Sequence, residues 1–501
     1  MKRGRMTLLD AINDPHLFPP WFRDRTTWLG WFSYLSALFA LPMTPDQLAI
    51  YRQCTGRNEP PSSVAKEAWL ICGRRAGKSF ILALIAVFLA CFFNYRQHLT
   101  PGERGTVLIL ATDRKQARVI FRYIRGLLTN VPMLKRLIER ETAEGFELSN
   151  DISIEIGTAS FKSVRGLTIV AALCDEVAFW STDDHSADPD FEILNAIRPA
   201  MATIPNAMLL VASSPYARRG ILYDAHKKHY GKDGDPILVW QAATRVMNPS
   251  VPEEFIDAAY ERDPVSAAAE YGAQFRSDVE SFVSREAVEA CVTPGIRERA
   301  PVSGIRYSAF VDPSGGSADS FTLAIAHKQG DIAILDAIRE RKPPFSPEDV
   351  VKEYAALLKS YGIRKVTGDR YAGEWPRERF KVHGITYEPA AKPKSDLYRD
   401  SLALLNSGRV DLLDDARLTA QLISLERRTA RGGKDSIDHP PSGHDDVANA
   451  VAGAITILSG GSGYNIRTLA GAIDADNDDS TDSFRRQRFQ LFMHSGGAVR
   501  L

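Results

Sequence analysis

Residues 71–79, ICGRRAGKS, constrain this chain more than any other stretch. An apolar run ends in a glycine-containing turn, and Lys78 and Ser79 then open an apolar run, Phe80–Phe93 (FILALIAVFLACFF). The reading is strand, phosphate loop, buried helix. Backbone N–H groups in such a turn point at phosphate oxygens, and the helix N-terminus adds positive potential. Gly73 and Gly77 shape the turn, Lys78 reaches the β- and γ-phosphates of ATP, and Ser79 holds Mg²⁺. The general pattern GxxxxGK[ST] has glycine where this chain has Cys72, with Gly73 next. The competing explanation is a chance Gly-Lys-Ser turn.

A second run, TIVAALCDEVAFW, weighs against chance. It places Asp175 and Glu176 at the end of an apolar strand, where adjacent carboxylates repel unless something binds between them. Asp175 is expected to hold the Mg²⁺ water shell and Glu176 to polarise the attacking water. A third apolar run, AMLLVASSPY, ends at Ser213 and Ser214, whose hydroxyls are placed to sense the γ-phosphate. Phosphoryl transfer also asks for an arginine. Arg74, inside the loop, would act in cis, and Arg165, in SVRG, in trans. Gln47, in LPMTPDQLAIYRQ, has the two-sided hydrogen bonding that an adenine edge needs.

The chain has 501 residues, too many for one core at ~150 residues per domain. The expected division is a helical segment over 1–60, a P-loop ATPase domain over 61–260 and a helical lid or linker over 261–300. An RNase H-like domain over 301–460 and a flexible tail over 461–501 complete it. Strands are expected at Ala68–Cys72, Thr106–Ala111, Ile152–Ile156, Ile169–Cys174 and Met208–Ala212, alternating with helices as in a largely parallel sheet. Five scattered cysteines without a CxxC pair indicate neither a zinc site nor a disulfide framework and suit a reducing cytosol. Phe80–Phe93 is shorter than the ~20 residues a membrane helix needs. Net charge is zero, so any polyanion must be held by a local basic patch and not by the global field.

The second half offers carboxylates at strand ends. Tyr307–Val311, Phe321–Ala326 and Ile332–Asp336 read as consecutive strands joined by tight turns. Asp312 follows the first of them, Asp369 follows RKVTG, and Asp445 and Asp446 open a helix in SGHDDVANAVAGA. Aspartates from two strands and a helix can hold two Mg²⁺ or Mn²⁺ ions ~3.5–4 Å apart and cut a phosphodiester. Oxygen-only ligands suit hard cations. Ordinary helix capping explains Asp445 equally well. His439 and His444 are candidate proton carriers, and Lys392 and Lys394 candidate DNA-phosphate contacts.

Taken in order, PDQLAIY, CGRRAGKS, ATDRKQA, SVRG, LCDEVAFW, VASSP, FVDPSGG, TGDRYAGEW and GHDDVANA resemble the large terminase subunit of tailed bacteriophages and prophages, over residues 40–460. The resemblance implies an ASCE-type P-loop ATPase fused to an RNase H-like mixed α/β nuclease. In that family a deviant phosphate loop with its arginine is usual. It implies ATP-driven movement of double-stranded DNA into a procapsid and two-metal cutting of concatemeric DNA. The implied partners are the portal protein, the small terminase subunit and further copies in a pentameric ring, with no membrane. The implied location is the cytoplasm of the infected host, docked at the portal vertex. By motif, Gln47 is then the adenine reader, Lys78, Ser79 and Asp175 the phosphate and Mg²⁺ ligands, Glu176 the base, and Ser213 and Ser214 the coupling motif. Asp312, Asp369 and Asp445 are the nuclease ligands, with Asp446 a rival for the third place. The alternatives are a helicase or translocase with an RNase H-like binding domain, and an inactive prophage DNA-binding assembly protein.

Overall fold

The computed structural model describes residues 6–159, 166–180, 189–317, 319–369, 374–429, 435–440 and 443–459. The chain through Leu458 forms one compact unit carrying three sheets.

The first sheet holds β1 (Glu67–Cys72), β2 (Gly105–Ala111), β3 (Ile138–Glu141), β4 (Gly145–Leu148), β5 (Ile152–Thr158), β6 (Thr168–Asp175), β7 (Met208–Ser213) and β8 (Ile237–Ala242). Their order is β3-β4-β5-β2-β6-β7-β1-β8. From β5 to β8 every pairing is parallel, and β3 and β4 extend the β5 edge antiparallel. The five strands expected from sequence are β1, β2, β5, β6 and β7. Side chains alternate between two covered faces, as a buried parallel sheet requires. Ala68, Leu70 and Cys72 join one core with the helix Lys78–Phe92, while Trp69 and Ile71 join the other with Pro189–Met201. The run expected to be a buried helix is therefore one, and no described helix is long and apolar enough to cross a membrane. Because β7 lies between β1 and β6, the phosphate loop, the Ser213–Ser214 turn and the Asp175–Glu176 pair emerge side by side at one sheet edge.

A short sheet comes next in the chain, with β9 (Val279–Ser281) as its first strand. The second large sheet holds β10 (Tyr307–Asp312), β11 (Phe321–Gln329), β12 (Ile332–Arg341), β13 (Lys365–Gly368), β14 (Thr386–Pro389) and β15 (Val410–Asp411). Its order is β14-β13-β10-β11-β12-β15, with β10–β12 an antiparallel meander and β13 parallel to β10. The helix Asp446–Ser459 lies against β10 through Gly453, where an added Cβ would come within 2.3 Å of the Phe310 ring. That close approach brings the helix start to the C-terminal end of β10.

The short sheet is completed by β16 (Glu426–Thr429) and β17 (Asp435–Asp438), in the order β17-β16-β9. Its β16 begins with Glu426, a fully buried carboxylate. Tyr216, just past the Ser213–Ser214 turn, donates its hydroxyl to Glu426 Oε2 at 2.8 Å, and Arg219 and Arg428 bind the same carboxylate. One side chain thus ties the phosphate-loop edge of the first sheet to the strand pair that leads toward Asp445. Glu426→Gln is expected to lower stability in chemical denaturation by about 1.5–3 kcal/mol, the worth of a charged hydrogen-bond set. An unchanged midpoint would mean that the junction does not hold the two halves together.

Candidate functional site

The phosphate loop is held by its carbonyls. Thr244 Oγ1 donates to Arg74 O at 2.8 Å, Asn248 Nδ2 to Arg75 O at 2.8 Å and Trp31 Nε1 to Ala76 O at 2.9 Å. Lys78 Nζ lies 3.1 Å from Cys72 O and 3.3 Å from Gly73 O. With the carbonyls of residues 72–76 tied to the protein, an incoming phosphate meets donors. Arg75 and Gly77 adopt left-handed φ of 65° and 100°, which fold the turn. Cys72 itself is simply the last, buried residue of β1. The position that needs glycine is the next one. A Cβ on Gly73 would stand 2.2 Å from Thr244 Oγ1 and 2.7 Å from Tyr271 O. Gly73→Ala is therefore expected to weaken binding of a fluorescent ATP analogue about 10–100-fold, the equivalent of 1–3 kcal/mol of overpacking. Retained affinity would show that the loop tolerates displacement of Thr244.

Around the loop the expected residues converge. Lys78 is buried, with Nζ 2.9 Å from Ser214 Oγ and 3.2 Å from Glu176 Oε1. Glu176 Oε2 accepts from Ser214 N at 2.9 Å and lies 3.2 Å from Ser213 Oγ. Glu176 has a φ of 54°, a strained conformation for a non-glycine residue and one that concentrates at functional sites. Ser79 Oγ donates to Asp175 Oδ2 at 2.9 Å. Asp175 is fully buried, and burial, reinforced by Glu176, pushes its carboxyl up to about 6. Among the described residues its Oδ1 has no hydrogen-bond partner. An orphaned buried carboxylate oxygen beside a serine hydroxyl is a donor set that suits Mg²⁺.

Other candidates stand differently. Gln47 is committed to its own helix: Oε1 accepts from Thr44 N at 2.9 Å in a capping box at the start of Pro45–Thr55. That capping bond occupies one lone pair of its amide oxygen. Arg74 pairs with Glu270 at 3.1 Å on the surface, a weak contact that leaves it releasable. Arg165 lies outside the described residues. One participant is not singled out from the sequence, although it lies in ATDRKQA: Gln116 Nε2 donates to Asp175 Oδ2 at 2.9 Å and Ser79 Oγ at 3.1 Å. It sits at the third position of the helix Arg114–Asn130, whose N-cap is Asp113.

The second group of carboxylates gathers where β10, β13 and the helix Asp446–Ser459 meet. Asp312 ends β10 and accepts from Asn449 Nδ2 at 2.8 Å. Burial, with the charges of Asp369, Asp446 and Asp445 added, raises it to about 8. Asp369 follows β13, its N–H bonded to Val311 O at 3.1 Å and its carbonyl to the Tyr387 hydroxyl at 2.9 Å. Gly368 permits this, since a Cβ there would overlap the Tyr387 ring. Asp445 and Asp446 separate physically. Asp445 Oδ2 is bound by Lys394 Nζ at 3.0 Å and by the Tyr398 hydroxyl at 2.8 Å. Asp446 Oδ2 meets only the Ser320 N–H, at 3.4 Å, among its described partners. Asp312 thus has the charges of Asp369, Asp446 and Asp445 around it, an all-oxygen set of the kind that suits hard divalent cations, while among the described residues the atoms of Asp438, His439 and Asp445 lie close enough together to share one ion. Lys394 also binds Asp438 at 2.6 Å, and Lys392 binds Asp400 at 2.5 Å. Both ammonium groups are paired within the chain, Lys392 through an exposed contact that is as weak as that of Arg74. His444 is exposed, and His439 Nδ1 lies 2.9 Å from Pro440 O.

Residues 41–273 match the family model described as "Uncharacterized protein MJ0330, N-terminal P-loop domain". This region is a P-loop domain. No curated protein matches the chain. Among solved structures, the HK97 bacteriophage large terminase aligns at 18% identity over 83% of this chain and 95% of its own, with a TM-score of 0.36. The large terminase nuclease of thermophilic phage G20c with bound magnesium aligns at 18% identity over 35% of this chain and 98% of its own, with a TM-score of 0.31.

Proposed function

We propose that the chain is the large subunit of a viral DNA-packaging terminase, hydrolysing ATP to drive double-stranded DNA into a procapsid and cutting concatemeric DNA at a separate two-metal site. The observation that carries this reading is the presence, in one compact unit, of Lys78, Ser79, Asp175 and Glu176 at one sheet edge and of Asp312 and Asp369 at another, beside the helix start that bears Asp446. The order of motifs along the chain supports it further. Movement into a procapsid asks for a portal, a small subunit and a ring of copies, all within the cytoplasm of an infected host.

In the ATP site, Lys78 exchanges Glu176 and Ser214 for β- and γ-phosphate oxygens. Glu176, held by the Ser214 N–H, orients the attacking water and takes its proton as the γ-phosphorus–oxygen bond to ADP breaks. Ser213 and Ser214 feel the change through Glu176, and Tyr216 passes it to Glu426. Ser79 and Asp175 would hold Mg²⁺, which neutralises charge on the β- and γ-phosphates when bound. In the nuclease site Asp312, Asp369 and Asp446 would hold Mg²⁺ or Mn²⁺, which lower the pKa of the attacking water and stabilise the leaving 3′-oxygen. Asp445 positions the helix start through Lys394 and Tyr398. ATPase and metal-dependent plasmid cleavage measured side by side test the reading. A chain with strand-separating activity and no cleavage would support the helicase alternative instead.

A further inference from the structure

We propose that the solvent face of the helix Arg114–Asn130 is where this chain grips the phosphate backbone of duplex DNA; the proposal rests on the duplex-translocation reading above. The chain is neutral overall, yet this helix carries Arg114, Lys115, Arg118, Arg122 and Arg125 and neither Asp nor Glu. No acid follows until Glu139. Its inner face buries Ile120, Ile124, Leu127 and Leu128, so the basic residues stand outward.

Arg114, Arg118, Arg122 and Arg125 fall at i, i+4, i+8 and i+11, within an arc of about 80° and over about 16 Å of helix. A duplex presents one charge per ~1.7 Å of its axis, so such a stripe lies alongside roughly ten phosphates. A solvated helix face ordinarily mixes signs four residues apart, which stabilises it. Here the neighbours are like charges, which repel. Arg114 and Lys115 also occupy the first turn, where the helix dipole disfavours cations. Arg125 alone finds an acid, Glu141 at 3.2 Å. Among the described residues no ion pair involves Arg114, Lys115, Arg118 or Arg122. Among the described residues nothing compensates the repulsion of Arg114, Lys115, Arg118 and Arg122, and an external polyanion would.

The position of this stripe gives the grip a consequence. Gln116, on the same first turn, binds both Asp175 and Ser79. A pull on the helix by DNA therefore reaches the Mg²⁺ ligands through one side chain, and DNA-stimulated ATP hydrolysis follows from that link.

The test uses the full chain and a fluorescently labelled duplex of random sequence, titrated between 50 and 200 mM salt, with Arg118→Gln plus Arg122→Gln as the variant. Loss of two phosphate contacts lowers the log–log salt slope by about 1.8 and the affinity at 0.1 M salt about 60-fold. DNA stimulation of ATP hydrolysis falls with it, while basal hydrolysis and thermal unfolding stay at wild-type values. Lys227→Gln plus Lys228→Gln removes the same charge from another exposed helix end and is expected to leave the slope unchanged. A variant with wild-type slope and affinity overturns the assignment of the helix, as does an equal effect from the Lys227 and Lys228 control. A variant that loses self-association and keeps its affinity overturns it in favour of a subunit contact. Wild-type chain that does not bind duplex at all overturns both this proposal and the packaging reading.

Discussion

Glu176→Gln is expected to reduce steady-state ATP hydrolysis by about 10²–10⁴-fold, the range for removing a positioned general base, while ATP binding is retained. The substitution is nearly isosteric. The Ser214 N–H that meets Oε2 at 2.9 Å can still be accepted by the amide oxygen, so the left-handed turn at position 176 keeps its anchor. What disappears is basicity, together with the charge that holds Lys78 at 3.2 Å. Lys78 loses a competitor for phosphate oxygens, and affinity for a non-hydrolysable ATP analogue should stay level or tighten. Asp175 loses the neighbouring charge that helps to raise its carboxyl, which favours its ionised, metal-holding form. The readouts are phosphate release and analogue titration on the same preparation. Turnover near the wild-type rate would remove Glu176 from the role of base. Joint loss of binding and turnover would mean that it holds the loop instead.

The parts of this site that sequence exposes are those that local patterning dictates. Asp175, Ser213 and Asp312 each terminate a run of apolar residues, and a strand buried on both faces must end where its apolar residues do. The phosphate loop is legible for the same reason, although its template misplaces the essential glycine. The reason lies in Thr244 and Tyr271, whose contact with Gly73 is set by tertiary packing. Gln116 lies in ATDRKQA, yet its role is illegible because it depends on β2 pairing beside β6, a long-range neighbour relation that brings the end of β2 to Asp175. The same holds for the short sheet. ERRT and DSID in β16 and β17 are four-residue, charged strands without apolar alternation, and nothing local marks Glu426 as buried. It is buried because Tyr216, Arg219 and Arg428 converge on it. The choice between Asp445 and Asp446 likewise turns on Lys394 and Tyr398, about fifty residues earlier in the chain, which engage only the first of the two.

Asp312→Asn should stop metal-dependent plasmid cleavage, by about 10³-fold or more if a metal-held transition state is worth roughly 4 kcal/mol, and leave ATP hydrolysis at its wild-type rate. The separation follows from position. Asp312 ends β10 in the second sheet, whereas Asp175 ends β6 in the first and Glu176 follows it. A folding control is built into the same residue. Burial and three neighbouring carboxylates raise Asp312 from 3.8 to about 8, so the folded chain binds a proton there that the unfolded chain releases. Between those values the wild-type residue loses stability as pH rises, because folding increasingly requires protonation or charge burial. Asparagine has no such dependence. Without divalent metal the variant should therefore be at least as stable as wild type near pH 8, with the advantage shrinking as pH falls toward 5. Loss of cleavage with undiminished thermal stability identifies a missing ligand and not a damaged fold. Full cleavage by the Asp312→Asn variant would dismantle the three-carboxylate site. Loss of both activities would show that the two centres do not work independently. Asp446→Asn compared with Asp445→Asn completes the experiment: the first should match Asp312→Asn, and the second should retain part of the activity while weakening the hold on the helix start through Lys394 and Tyr398.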